Sequence, residues 1–239
     1  MAKDKEHKQL LDEGIADAIM ELPHVFYVND ERLFLYPLTL GKTFLLERAM
    51  RGLKINKLLL AGNPHAEALR LCHHEKDKVS NLIAYHTFNK KDDLVDSEKI
   101  KQRAEFFVNN IEEEDLAKLF MLVNMPDKYE EFEKHLGITE ERKWQKKAMQ
   151  AKKDSDAMTF GGKSIYGTLI DFACDRYGWT YDYVVWGVSY INLRLLMADV
   201  VNTIYLDKDE RKRVRVPKDR TKISGDDPKN IERLKQMLK

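Results

Sequence analysis

The segment Gly41-Lys42-Thr43 has the residue types that end a phosphate-binding loop. In that motif a glycine lies five residues before the Gly-Lys pair, and a glycine-rich loop points successive main-chain amides at phosphate oxygens. Here that position is Tyr36, and Pro37 follows it. We therefore interpret the segment as the capped start of a helix, and we expect no nucleotide cofactor.

Metal-ligand residue types occur at Cys72-His73-His74, with His65 upstream and His86 downstream. A structural zinc site needs paired ligands at short loop spacings. Adjacent histidines on a helix point about 100° apart, so His73 and His74 do not readily share one ion. We expect no metal site and interpret these residues as one partly exposed helix face.

Four consecutive acids, Glu112 to Asp115, could suggest acid–base chemistry. Paired catalytic carboxylates must converge in a pocket, whereas a consecutive run fans out around a helix. No Ser/His/Asp or Cys/His arrangement is recognisable from local sequence. We therefore expect no catalytic residues and a protein that is not an enzyme.

A basic stretch runs from Arg211 to Lys222 and could contact nucleic-acid phosphates. Its Arg-Val-Arg-Val alternation at 213–216 fits an edge strand or an arm on a partner equally well, so we expect an extended segment. Arg211, Arg213 and Arg215 are candidate partner-binding residues on either interpretation.

The pattern of helix 165–177, a turn at Gly178 and helix 180–186 also suggests a helix-turn-helix. The second helix carries no Arg, Lys, Asn or Gln with which to recognise base edges. We do not expect it to bind DNA by sequence.

The composition fits a globular, helix-rich chain. The 239 residues allow one large domain or two small ones, with 34% charged and 43% apolar residues. The net charge of +1 predicts no polyanionic partner. No apolar run approaches the ~20 residues of a membrane helix, so we expect no membrane association. Cys72 and Cys174 are interpreted as buried thiols rather than a disulfide.

The elements that position these residues are mainly helical. The runs at 25–28 and 32–36 are rich in β-branched and aromatic residues and flank Asn29-Asp30-Glu31, which predicts a hairpin at about 25–36. Apolar periodicity predicts helices over most of the rest. The fold class is therefore mainly α: a multi-helix globular protein with one small N-terminal β-hairpin.

Three regions follow from breaks in this pattern. Residues 1–153 form the hairpin and a helical region, 160–206 form a C-terminal helical module, and 207–239 form a basic tail with a short terminal helix at 229–238. The segment 154–163 is the predicted linker because its glycines and small polar residues interrupt helical periodicity.

The module is the most distinctive stretch. It holds two of the three tryptophans, and Ser164, Thr180 and Ser189 are placed to cap its three helices, the last of which is predicted to run to about Leu206. Aromatics supply much of the energy of protein interfaces, which makes Tyr181, Tyr183 and Tyr190 candidate partner-binding residues. The alternative is that the aromatics of this stretch, Trp179 and Trp186 above all, form the core between the three helices.

The sequence GWTYDYVVWGVSY at 178–190 resembles a pattern in tail assembly chaperones of long-tailed bacteriophages. In that family a helix ends in a Tyr/Phe-Gly/His-Trp turn, a Ser or Thr caps a short aromatic helix, and a longer helix follows. The N-terminal part is also similar, with a short hairpin at 26–36 followed by Pro-Leu-Thr and a helix. The better match covers 160–206, about a fifth of the chain.

The resemblance implies a mostly helical, non-enzymatic protein of the host bacterial cytoplasm. Its partners would be the phage tail-tube and tape-measure proteins, with self-association as a further expectation. Two alternatives remain open. One is a virion structural or adaptor protein, and the other is a small nucleic-acid-binding regulator that uses the basic arm 211–222.

Overall fold

The computed structural model describes residues 2–124, 128–152, 163–201 and 203–215. It confirms a mainly α protein with one two-stranded antiparallel hairpin. The chain divides into two compact units, one of 1–136 with 161–200 and one of 137–160 with 201–239. In chain order the elements are α1 (Ala2–Ile19), β1 (His24–Val28), β2 (Glu31–Leu35), α2 (Leu40–Met50), α3 (Lys57–Gly62), α4 (Pro64–His74), α5 (Lys76–His86), α6 (Lys91–Val95), α7 (Ser97–Asn110), α8 (Glu113–Val123), α9 (Tyr129–His135), α10 (Ile138–Ala151), α11 (Ile165–Tyr177), α12 (Tyr181–Trp186), α13 (Tyr190–Ala198) and α14 (Lys208–Val214).

The hairpin closes through a two-residue turn. Val28 pairs with Glu31, and Asn29 and Asp30 between them have φ values of 46° and 64°. Positive φ at both central residues is the type I′ turn, whose twist matches that of the strands. Alternate residues of the hairpin, such as Val28 and Leu33, are buried against the helices, which confirms the predicted hairpin and places Glu31 in its second strand.

The main core of the first unit lies among α2, α4, α5, α7 and α8. Helix α5 packs along α7 and α4 packs along α8. The core residues are aliphatic apart from a few phenylalanines, and Phe107 at its centre is fully buried. The sequence signal for this packing is the apolar stripe on each helix.

A buried ion pair fixes the segment that leads into this core. The carboxylate of Glu67 is fully buried, and the guanidinium of Arg70 donates to both of its oxygens at 2.7 Å. The same carboxylate accepts the N–H of Asn56 at 2.7 Å, and Arg70 donates to the carbonyl of Lys54 at 2.6 Å. Because the ion pair satisfies main-chain groups, it holds the 54–56 turn against α4.

The helices α11, α12 and α13 form a smaller core in the same unit. Ser164, Thr180 and Ser189 accept main-chain N–H groups of the first turns, which confirms all three predicted caps. Gly178 ends α11 with a φ of 64°, the left-handed conformation that glycine favours. Among the residues whose burial is described, five are buried in this core, namely Leu169, Ala173, Val184, Val188 and Leu193.

In the second unit, α10 packs with α14, and Val214 of α14 is buried. The prediction of an extended segment from Arg211 is wrong up to Val214, because these residues are helical. The reason is a capping box: Asp207 accepts the N–H groups of Asp209 and Glu210, and the Glu210 carboxylate accepts the N–H of Asp207.

Helix α13 ends at Ala198, eight residues before the predicted end near Leu206. The sequence Asp199-Val200-Val201 follows, and Asp and Val have lower helix propensity than the Leu-rich turn before them. Residues 154–162 of the predicted linker 154–163 and the predicted terminal helix at 229–238 lie outside the described residues. The division into 1–153, 160–206 and 207–239 remains a prediction, and the structure groups 161–200 with 1–136 instead.

Candidate functional site

A row of aromatic rings runs from α11 into α12. The ring centroids of Phe172 and Tyr177 lie 5.8 Å apart, those of Tyr177 and Trp179 lie 4.8 Å apart, and those of Trp179 and Tyr183 lie 5.2 Å apart. Two of these pairs are edge-to-face, the arrangement that aromatic quadrupoles favour. We call Phe172, Tyr177, Trp179 and Tyr183 the aromatic row.

The aromatic row is positioned by local capping chemistry. Gly178 turns the chain at the end of α11, and the hydroxyl of Thr180 accepts the N–H of Tyr183 at 3.2 Å to begin α12. Helix α12 buries Val184 and Val185 in the first unit. The two tyrosines of the same helix, Tyr181 and Tyr183, are exposed.

The three tyrosines that were predicted to bind a partner differ in their exposure to solvent. Tyr181 is 64% exposed and Tyr183 is 47% exposed, so both remain candidates for partner binding. Tyr190 is half-buried, and its N–H donates to the carbonyl of Leu38 at 2.6 Å. Its ring packs against the smaller core and lies 5.4 Å from the guanidinium of Arg194.

The three predicted arginines belong to the second unit. Arg211, Arg213 and Arg215 are all exposed, the first two on α14 and the third at its left-handed C-terminal cap. Acids share this helix, since Asp207, Asp209 and Glu210 lie at its start and Lys212 pairs with Asp209 at 3.6 Å. In the described residues this segment is a capped helix of mixed charge rather than a basic arm.

The contact of Gly41 with Trp186 attaches the C-terminal helices to α2. A Cβ atom on Gly41 would lie 2.6 Å from the Cε3 and Cζ3 atoms of the indole, so only glycine allows this approach. Trp186 therefore packs across to α2 rather than only between α11, α12 and α13. Trp179, in contrast, packs against the smaller core as that interpretation predicted.

Hydrogen bonds extend this attachment. Thr39 and Ser189 form an isolated antiparallel bridge. The carboxylate of Glu21 accepts the N–H of Ser189 at 2.7 Å and the side-chain amide of Asn192 at 3.0 Å. We call Glu21, Thr39, Gly41, Trp186 and Ser189 the junction.

Lys42, next to the junction, is fully buried. Its ammonium group donates to the carbonyl of Pro37 at 3.3 Å and lies 5.8 Å from the ring centroid of Tyr36. Burial lowers the pKa of Lys42 to about 7. Burial, and then the positive charge of Lys42, lower the pKa of His86 to about 3. Since Lys42 is buried and Trp186 covers Gly41, this segment fits the expected helix start and offers no phosphate cradle.

A groove of about 570 Å³ lies between α2, α5 and the end of α8. Its walls include Leu46, Met50, Leu82 and Val123, and His86 is its buried titratable side chain. Sequence reasoning missed this groove. Periodicity assigns such leucines to a helix face, and it does not distinguish a core-facing residue from one that lines a groove.

The metal-ligand types do not come together. His73 and His74 are exposed, and Nδ1 of His73 lies 3.1 Å from the carboxylate of Glu113. Cys72 is buried, and burial raises the pKa of its thiol to about 12, whereas Cys174 is half-buried; both are free thiols. Within the described residues no three His, Cys, Asp or Glu side chains are placed to hold one metal ion.

The acids of α8 are solvent-exposed and do not converge. Glu114 and Asp115 both pair with Lys118, at 3.4 Å and 2.9 Å, on the surface of their own helix. Their position in the first turn stabilises α8 through the helix dipole. Of the helices in the described ranges, none is both long and apolar enough to cross a membrane.

The comparisons give no family. Neither the family models, nor the curated proteins, nor the solved structures match this chain. The aromatic row, as the structure places it, is therefore the observation on which a function is argued below.

Proposed function

We propose that this protein is a non-enzymatic binding protein of phage morphogenesis, a tail assembly chaperone that holds tape-measure or tail-tube proteins in the host cytoplasm. The observation that carries the proposal is the exposure of Tyr181 and of Tyr183, the exposed member of the aromatic row. These residues lie in the same 178–190 stretch that resembles the family. They stand on a helix whose buried residues, Val184 and Val185, fix its main chain in the first unit.

Tyrosines that are exposed on a fixed helix suit a client-binding surface. Tyrosine offers a large contact area and a hydroxyl while few rotatable bonds are immobilised on binding. A chaperone of this kind would cover apolar client surface before assembly, which exposed rings do better than charged side chains. Among the described residues we see no catalytic arrangement of side chains. The proposal does not depend on this absence, because it rests on the aromatic surface.

Co-expression with candidate tape-measure and tail-tube proteins tests this function. We expect the wild-type chain to increase the soluble fraction of one of them and to co-purify with it. The double variant Tyr181→Ala/Tyr183→Ala should lose most of that effect while keeping a wild-type circular dichroism spectrum. The matched control is Tyr205→Ala, since Tyr205 is 82% exposed and lies outside the aromatic row.

Two outcomes would contradict the proposal. The first is that no tail protein co-purifies with the chain. The second is that the double variant and Tyr205→Ala behave alike, which would remove the aromatic row as the binding surface. Mass spectrometry of purified particles distinguishes the adaptor alternative, because a chaperone should be absent from the virion.

A further inference from the structure

Strand β1 has an outer edge whose main-chain groups point away from β2. In a type I′ hairpin the closing pair, here Val28 and Glu31, exchanges hydrogen bonds, and hydrogen-bonded pairs then alternate along the ladder. Phe26 and His24 therefore bond to β2. The N–H and C=O groups of Val25 and Tyr27 point outwards.

The two edges of the hairpin differ. On the β2 side the outward residues are Arg32, Phe34 and Tyr36, and the N–H of Tyr36 donates to the carbonyl of His86 at 2.8 Å. On the β1 side, none of the hydrogen bonds recorded for the described residues uses the outward groups of Val25 or Tyr27. Strand β1 is thus the open edge.

The open edge lacks the features that normally prevent strand pairing. Proteins protect edges with charged side chains, with internal proline or with bulges. The sequence of β1, HVFYV, has no Asp, Glu, Lys, Arg or Pro, and its register with β2 is regular. Val25 is 42% exposed and Tyr27 is 67% exposed, so apolar side chains flank the free main-chain groups.

We propose that β1 pairs with β1 of a second copy of this chain, antiparallel about a two-fold axis at Phe26, to form a continuous four-stranded sheet. In this register Val25 of one copy lies opposite Tyr27 of the other, and the reverse pair is equivalent. Each pair exchanges two main-chain hydrogen bonds, and these are the groups that the hairpin leaves outward.

The chemistry of β1 favours a second copy as its partner. A two-fold axis requires a self-complementary surface, and centring it on Phe26 places Val25 and Tyr27 symmetrically. The resulting pairs join an aromatic to a β-branched side chain, a favourable cross-strand combination. No like charges meet, because β1 carries none of the charged residues that β2 has at Glu31 and Arg32.

Size-exclusion chromatography with light scattering measures the mass. We expect the wild-type chain to approach twice its 28.0 kDa as its concentration rises. The variant Val25→Lys/Tyr27→Lys places lysines opposite each other across the axis and should raise the dimer dissociation constant about tenfold or more. Tyr205→Lys is the matched control and should leave the dimer unchanged.

Mixed disulfide formation tests the register. Opposed residues that share hydrogen bonds have Cα atoms about 5.5 Å apart, which a disulfide can bridge. A mixture of Val25→Cys and Tyr27→Cys chains should cross-link on oxidation, whereas each variant alone should stay at the wild-type background. Both positions are exposed, so neither variant should impair folding.

A wild-type chain that remains monomeric up to its solubility limit overturns the proposal. This outcome covers the case in which β1 pairs with a strand of another protein and not with a second copy. A dimer that is unaffected by Val25→Lys/Tyr27→Lys overturns it as well. A dimer in which the mixture does not cross-link overturns the register about Phe26. None of these results depends on the chaperone function.

Discussion

Two cores among the described residues of the first unit differ in how much of their stability comes from their own apolar packing. The core among α2, α4, α5, α7 and α8 includes eighteen buried residues, Phe107 among them. The core of α11, α12 and α13 includes five. Since apolar burial is the main favourable term in folding, the smaller core offers far less of it.

The smaller core compensates through the junction. Glu21, Thr39 and Gly41 come from the N-terminal part of the chain, and they meet Trp186 and Ser189 from the C-terminal part. The comparison of the two cores indicates that the aromatic row belongs to a group of three helices, α11 to α13. The stability of this group depends on the junction. The predictions below test that dependence.

The largest effect is expected for Phe107→Ala. Phe107 is fully buried, and its ring centroid lies 6.2 Å from that of Phe26, so truncation leaves a cavity beneath the hairpin. We expect the free energy of unfolding to fall by about 3–5 kcal/mol. Urea unfolding followed by far-ultraviolet circular dichroism measures it. Leu58→Ala, at a side chain that is 89% exposed, is the control, and an equal loss in both would contradict the assignment.

Leu193→Ala is the corresponding test in the smaller core, where Leu193 is fully buried. We expect a loss of about 2–4 kcal/mol that acts first on α11 to α13. Trp179 and Trp186 report on these helices by fluorescence once Trp144 is replaced by Phe. The fluorescence transition should then precede the circular dichroism transition. Coincident transitions would show that the two cores unfold as one.

Gly41→Ala tests the junction directly. The added methyl would lie 2.6 Å from the indole of Trp186, so the ring must move, and we expect a loss of about 1–3 kcal/mol with a shift in Trp186 emission. Gly62→Ala is the matched control, because a Cβ there meets no atom within 4 Å. That variant should be neutral or more stable by about 0.5–1 kcal/mol. A neutral Gly41→Ala would mean that the indole can leave without cost.

The comparison also shows which features the sequence could predict and which it could not. The caps at Ser164, Thr180 and Ser189 follow from chemistry within one helical turn, and the structure confirms them. Helix α14 could also have been predicted, because Asp207 and Glu210 have capping-box spacing. The alternating Arg-Val pattern at 213–216 favours a strand, but the capping chemistry outweighs it.

The junction could not be predicted. Gly41 and Trp186 are far apart in the sequence, and no local pattern states that a glycine in one helix makes room for an indole from another. The 178–190 stretch indicated Tyr181 and Tyr183, and the structure leaves both exposed, while their binding role stays a prediction. The same stretch also indicated Tyr190, whose ring is half-buried against the smaller core, a packing that no local pattern predicts.

Lys42 is expected to affect stability through the slope of the unfolding free energy with pH. Its pKa of about 7 in the folded state is below the ordinary 10.5, so between these values the unfolded chain binds a proton that the folded chain lacks. The free energy of unfolding should therefore rise with pH across this range, by at most about 1.4 kcal/mol per pH unit from this group. Below pH 7 both states hold the proton, and the contribution stops changing.

Lys42→Met tests this because methionine fills a similar volume without charge. The variant should lose the rise between pH 7 and 10.5 and should be more stable than wild type near pH 7, as measured by urea unfolding at a series of pH values. Lys57→Met, at an exposed lysine of α3, should keep the wild-type slope. If Lys42→Met also kept that slope, the ammonium group would be hydrated in solution, and the region beside the junction would be open to water rather than packed like the main core.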